Sequence, residues 1–416
     1  MRRFAFVRHT ITLLALTATS AFAQTTHYSV HAGRFSMPGV DEAEMARMQQ
    51  MMGGAMPQQS GPAGAFSFGK NLHLRLTKGR TAIPEALHAL PPGGQLPPAV
   101  TLVPSGGTYT DEAPEMEKPN ARISIYWGCG DTVRAGQPMV IDTSKLSQAD
   151  FAKRIPWQAG AQGPRCPAGQ ACWPNERDKR TVPFNSSLVG DHKVNAAGVP
   201  NINFALAGGQ DFMDRFTMRS SGDAANGIQV SWDSMANARA YFLMAAEGNE
   251  KGRANEVVIW TSAEIADMGS ASFTYIPGSV VTRWLASKLM LPASTTQCTI
   301  PKGVFKTKDV AVMGSAYGPE AYFSNPPRPA NAGANWAPEW SATVRYASYS
   351  ITGPGMDERN STHSNRASRN SNNAPSAPGA PDQSGQSGQS ESLGPSGATG
   401  AVIKGAGEAL KGIFGR

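Results

Sequence analysis

The chain has 416 residues, among them 44 Gly and 31 Pro, with a formal charge of +7. So many turn-forming residues fit short strands joined by turns and exclude a helical bundle. Three of the positive charges lie in a removable N-terminal segment. The remaining +4 forms no clustered basic face, which excludes a nucleic-acid partner.

Arg2, Arg3 and Arg8 precede a short apolar run from Ile11 to Leu16, and Ala21-Phe22-Ala23 offers a small-x-small cleavage site before Gln24. Residues 1–23 therefore read as a secretory signal, and the mature chain is expected in the periplasm or outside the cell. The run is too short to span a bilayer, and no later segment reaches about 20 apolar residues. With no Cys at the cleavage point, a lipid anchor is not expected.

Residues 24–65, rich in Met, Gln, Gly and Pro, read as a largely disordered leader. Met45, Met48, Met52 and Met56 recur at helical spacing. Clustered thioethers suit Cu(I), but no His or Cys cluster supports them here, so no metal or other cofactor is assigned.

Residues 66–206 alternate as a β-rich domain. Leu72, Leu74 and Leu76 share one face of a strand, with His73 projecting opposite; Ile123, Ile125 and Trp127 share a face of another, and Met139–Asp142 follows. Pro91-Pro92-Gly93-Gly94 and Pro97-Pro98 mark long loops. His192 follows Gly190-Asp191, which reads as a turn, where hydrogen bonding to backbone is its usual role.

Residues 207–352 form the second β domain, with candidate strands at Phe212–Met218, Ile228–Trp232, Tyr241–Ala245, Val257–Trp260 and Ala342–Ile351. One helix interrupts them: Ser279 can cap it, Val281, Trp284, Leu285 and Leu289 share its face, and Pro292 stops it. The expected fold is mostly β, with two antiparallel sandwich-like domains.

Cys129, Cys166, Cys172 and Cys298 are an even number in an oxidising compartment, so both pairs are expected to be oxidised. Three pairings exist. Cys166 with Cys172 around a Pro-Ala-Gly turn is favoured, which leaves Cys129 with Cys298 to staple the two halves. No Cys-x2-Cys pair and no His at ligand spacing supports zinc.

Gly227-Ile-Gln-Val-Ser-Trp-Asp-Ser-Met-Ala-Asn-Ala-Arg-Ala-Tyr241 resembles two strands and their turn in a fibronectin type III domain. The resemblance extends through Ser262 and places Trp232 and Tyr241 together in a core. The inserted helix departs from that pattern. A longer resemblance, to a family of exported bacterial proteins with no activity attached, rests on Tyr126-Trp-Gly-Cys-Gly130, Gly136-Gln-Pro138, Ser187-Leu-Val-Gly-Asp-His192, Ala316-Tyr-Gly-Pro-Glu320 and Pro326-Pro-Arg-Pro329.

Residues 353–400 are dominated by Ser, Asn, Gly, Gln and Pro and are expected to be disordered. Residues 401–416 regain an amphipathic pattern, which a membrane surface could order.

Catalytic signatures are weak. Gly64-Ala-Phe-Ser-Phe-Gly-Lys-Asn71 lacks the hydroxyl of a nucleotide-binding loop, and no Gly-x-Ser-x-Gly occurs. Glu247, Glu250, Glu256 and Glu264 cluster in one stretch that reads as a solvated loop. Trp336 and Trp340, on a Pro-stiffened loop, are the candidate ligand-binding residues: exposed indoles would stack on a glycan or peptide, and buried ones would close the end of a sandwich. These residues imply an exported, non-catalytic binding or envelope-structural protein; the alternative is a secreted hydrolase of polysaccharide or peptide.

Overall fold

The protein is represented by a computed structural model that describes residues 25–43, 69–79, 81–106, 120–154, 166–247, 256–267, 269–272, 276–307, 309–333, 336–354 and 356. The signal segment, the methionine run from 45 to 56 and the segments 357–400 and 401–416 lie outside the described residues.

In chain order the first half forms β1 (Thr26–Ser36), β2 (Gly69–Lys78), β3 (Ala86–Ala89), β4 (Ala99–Pro104), β5 (Arg122–Trp127) and β6 (Met139–Asp142). Helix α1 (Gln148–Arg154) precedes β7 (Ala171–Trp173), β8 (Gly190–Ala196) and β9 (Ile202–Leu206). The second half forms β10 (Met218–Asp223), β11 (Gly227–Trp232), β12 (Ala240–Glu247) and β13 (Glu256–Thr261). Helix α2 (Gly278–Ala286) then leads to β14 (Leu291–Pro292), β15 (Gln297–Ile300), β16 (Val310–Asn325) and β17 (Trp340–Thr352).

The mostly-β expectation is met. A large sheet runs β6-β5-β13-β12-β16-β17-β1-β2-β7-β4-β3-β8-β9, with β14 also pairing β12, and a second sheet runs β10-β11-β15. Residues 26–36, expected to belong to a disordered leader, form β1 near the middle of that path, parallel to β17 and antiparallel to β2. Nor does the sheet break at residue 206: first-half strands flank second-half strands on both sides. Two parallel joints, β1 with β17 and β5 with β13, make that interleaving. Parallel partners need long connections, so no local turn signals them.

The centre of the large sheet is buried on both faces. Along β12, Tyr241, Leu243 and Ala245 enter one core while Ala240, Phe242 and Met244 enter the other, as period-2 geometry requires. The second sheet covers the first face, where Trp232, Tyr241 and Phe216 pack with ring centroids 5.3–6.1 Å apart. Gly314 and Gly318 of β16 permit this approach, since a Cβ at either would strike Met218 and Phe216, or Met213. Helix α2 covers the other face with Val280, Val281 and Trp284.

Two local expectations shift. Residues 212–217, expected as strand, run irregularly because β17 satisfies their backbone with side chains: Phe216 N donates to Ser348 Oγ (3.1 Å) and Met218 N to Ser350 Oγ (3.4 Å). Helix α2 starts at Gly278 after Pro277 rather than at a Ser279 cap, and Gly278 N donates to Glu320 Oε2 (3.2 Å). That carboxylate sits at the positive end of the helix, placed there by an irregularity in β16 between Tyr317 and Glu320.

Both cysteine pairs are oxidised as expected. Cys129–Cys298 ties the segment after β5 to β15, hence one sheet to the other, and Cys166–Cys172 closes a loop into β7. Replacing Trp232 by Ala should cost ~3–5 kcal/mol, as for a buried aromatic elsewhere, and Gly314→Ala about 1–3 kcal/mol through overpacking. Denaturant midpoints check both; an unchanged midpoint for either would contradict the packing.

Candidate functional site

Four neighbouring strands, β16, β17, β1 and β2, alternate apolar and polar residues. Ala342, Val344 and Tyr346 of β17, Tyr28, Val30 and Ala32 of β1, and Leu72, Leu74 and Leu76 of β2 face the first core. The opposite face carries only polar side chains over three registered rows. The first row is Glu320, Arg345, His31 and His73; the second Tyr322, Thr343, Ser29 and Arg75; the third Ser324, Ser341, His27 and Thr77.

Most of this face is removed from water: Arg75 is 2% exposed and His31 3%, whereas Tyr322 at the rim is 52% exposed. Arg345 Nε donates to Glu320 Oε2 (2.6 Å), and His27 Nδ1 meets Ser341 Oγ at 2.9 Å. Burial, with Arg345 beside it, pushes His27 down to about 4, and burial with Arg75 pushes His73 down to about 3. His31 is held well below the usual range by burial and by Arg345, Arg75 and the two other histidines. Burial lowers Arg75 itself to about 9, so it stays charged at neutral pH. The grid thus holds two guanidiniums, one carboxylate and three neutral imidazoles.

A second polar chain lies on the other side of β1. Tyr28 Oη is 2.6 Å from His88 Nδ1, His88 Nε2 is 3.0 Å from His192 Nδ1, and His192 Nε2 is 2.7 Å from Leu188 O. A carbonyl only accepts, so His192 Nε2 carries its proton and its Nδ1 accepts from His88 Nε2–H. His88 Nδ1 then accepts from the Tyr28 hydroxyl, and every group in the chain is satisfied with both rings neutral. Phe204 stacks on His192 at 4.8 Å. The expected backbone partner of His192 is thus present, Leu188 O just before β8, although His192 itself lies within β8 rather than after a turn.

The sequence-selected residues disperse. Trp340 is a core residue of β17, 7% exposed. Trp336 is half-buried, with the Arg328 guanidinium 5.5 Å over its ring. The two indoles therefore make no shared platform. Trp127 is half-buried against the second core. Glu247 accepts from the backbone of Lys306 and Thr307, Glu264 forms a two-pronged pair with Arg134 (2.7 and 3.0 Å), Glu256 is exposed at the start of β13, and Glu250 lies outside the described residues. Among the described residues, no three of His, Cys, Asp and Glu gather as a metal set.

Sequence reasoning missed His27 and His31 because they fell in the assigned leader. The alternation His27-Tyr-Ser-Val-His31 was the available strand signal.

Two outcomes are expected. Tyr28→Phe leaves His88 Nδ1 buried without its donor and should cost about 1–3 kcal/mol at neutral pH. The second concerns acid. Above about pH 6.5 the histidines are neutral whether the chain is folded or not; below it the unfolded chain takes up protons that the folded His27 refuses until about 4 and His73 until about 3. Stability is therefore full above that window and lost as pH falls through it, by about 1.4 kcal/mol per pH unit for each such histidine. Denaturant midpoints at a series of pH values test this; a flat profile would contradict it.

No protein-family model and no curated protein matches this chain.

Proposed function

We propose that the chain is an exported, non-catalytic binding or envelope-structural protein whose ligand contacts the open rim of the polar grid. The carrying observation is Tyr322, 52% exposed, in registered rows beside a carboxylate, a guanidinium and hydroxyls. An exposed aromatic flanked by such groups suits a glycan or a peptide: the ring takes an apolar face, and Glu320, Arg345 and Ser324 take hydroxyls or amides. Export is supported by the two disulfides and the signal-like N-terminus. Among the described residues no helix is long and apolar enough to cross a membrane. Residues 401–416 would add a membrane-surface contact. For the fibronectin-like reading of residues 227–262, the support is that β11 and β12 lie in different sheets and bring Trp232 to Tyr241.

Among the described residues, Glu247, Glu264, Glu320, His27, His88 and His192 are engaged in ion pairs and hydrogen bonds within the fold. Titration calorimetry of the mature protein with soluble cell-wall glycan fragments and with proline-rich peptides tests the proposal. Binding without turnover is expected, weakened about tenfold, or ~1.4 kcal/mol, by Tyr322→Ala. Turnover of any of these would favour the hydrolase; binding indifferent to Tyr322 would place the site elsewhere.

A further inference from the structure

Strand β16 is paired over different lengths on its two sides. β17 accompanies it as far as Asn325, whereas β12 leaves it at Tyr317, opposite Ala240, where β12 begins. Among the described residues no strand borders residues 318–325 on the β12 side. This side meets water: Pro319, Glu320 and Asn325 are exposed, Tyr322 is 52% exposed, and Phe323 and Ser324 are half-buried.

The strands that end the large sheet are short, β6 of four residues and β9 of five, which is one way an edge is kept from pairing with other chains. The open side of β16 lacks such protection. Its prolines, Pro319 and Pro326, stand only at its limits, and no lysine or arginine lies between them. The single charge there, Glu320, is already engaged by Arg345 Nε (2.6 Å) and Gly278 N (3.2 Å). In an antiparallel pair alternate residues turn N–H and C=O away from the partner, so the side of β16 away from β17 offers a row of donors and acceptors.

The stretch also complements itself. A copy related by a two-fold axis perpendicular to the sheet must set inward residues beside inward residues, so the axis passes through a residue rather than between two. With the axis at Tyr322, that ring meets its own counterpart, Ala321 meets Phe323 and Glu320 meets Ser324. Inside, a small residue faces a large one; outside, a carboxylate faces a hydroxyl, and no like charges are opposed. Both prolines then fall just beyond the paired residues 320–324. Moving the axis one residue either way puts Pro319 opposite Phe323, or Pro326 opposite Glu320, within the pair.

We propose that two copies of this chain join through the open side of β16, antiparallel about a two-fold axis at Tyr322. The two Tyr322 rings then lie side by side on the outer face, flanked by both Glu320–Arg345 pairs. They stay on that face, so the pairing is independent of what the rim binds. Five register pairs are a small contact beside the ~1,200 Å² of a stable interface, so the dimer depends on concentration.

Sedimentation of the mature, disulfide-intact protein without ligand, from about 10 μM to about 1 mM, should show the mass rising from one chain to two. Tyr322→Cys places two thiols at the axis and should give a covalent dimer on mild oxidation, with peptide mapping confirming that both original disulfides persist. Ser324→Cys should not, because its two copies would stand about 13 Å apart along the strands. Tyr322→Lys, which opposes two ammonium groups, should weaken association about tenfold or more at low salt. A protein of one-chain mass throughout, with no cross-link from Tyr322→Cys, would overturn the proposal. So would cross-linking from Ser324→Cys as readily as from Tyr322→Cys, or a dimer that Tyr322→Lys leaves unchanged. Should the lysine variant fail to fold, the two cysteine variants decide.

Discussion

The parallel pairing of β1 with β17 is the constraint on which the rest of the structure depends. It runs over eleven register pairs, from Thr26 with Trp340 to Ser36 with Ser350, and it joins residues more than three hundred positions apart, such as His27 and Ser341. Without it the large sheet would be two sheets with four edges, and the unpaired edges of β1 and β17 would be templates for other chains. Contacts so distant in sequence form slowly, because loop-closure entropy must be met before they contribute. A strand that begins at residue 26 thus waits for one that ends at residue 352.

Close approach of the second sheet depends on small devices rather than on more apolar area. Gly314 and Gly318 leave room for Met218, Phe216 and Met213 on the surface of β16. Ser348, Ser350 and Thr352 of β17 turn hydroxyls toward β10 and the residues before it, meeting Phe216 N, Met218 N and Ser220 Oγ at 3.0–3.4 Å. Hydroxyls two residues apart on one strand match backbone groups two residues apart on another, so the sheets are registered to each other without a strand ladder. The aromatic trio of Trp232, Tyr241 and Phe216 then fills the space that these contacts enclose.

What the sequence made legible was local. The alternation at Leu72–Leu76 and at Ile123–Trp127 reproduces β2 and β5 because a period of two is a property of single strands. The disulfides followed from an even cysteine count and a short turn. Four features were not legible, each for a physical reason. β1 sits in a segment whose average composition is turn-forming, though its own eleven residues alternate. The stretch before β10 looks extended, yet its donors are taken by side chains. The cap of α2 comes from Glu320, some forty residues away. The polar grid exists only when four strands, drawn from residue 27 to residue 345, lie side by side, and no window on the sequence contains it.

Why the grid is polar at all can be argued from register. On the apolar side β1 offers Tyr28, Val30 and Ala32 to Ala342, Val344 and Tyr346. A slip of two residues keeps every apolar group inward, so burial alone leaves the pairing degenerate. The polar side breaks that degeneracy. A two-residue slip removes the His27–Ser341 bond and moves His31 from Arg345 to Thr343 or Ala347. Apolar residues in the same places would often be as stable or more so, since burying charge costs desolvation. Imidazole reduces that cost because its neutral form can be buried and still hydrogen-bond, without the desolvation of a net charge that a carboxylate or an ammonium brings. The same choice makes the pairing depend on pH, because acid puts protons on these imidazoles in the unfolded chain that the folded joint refuses.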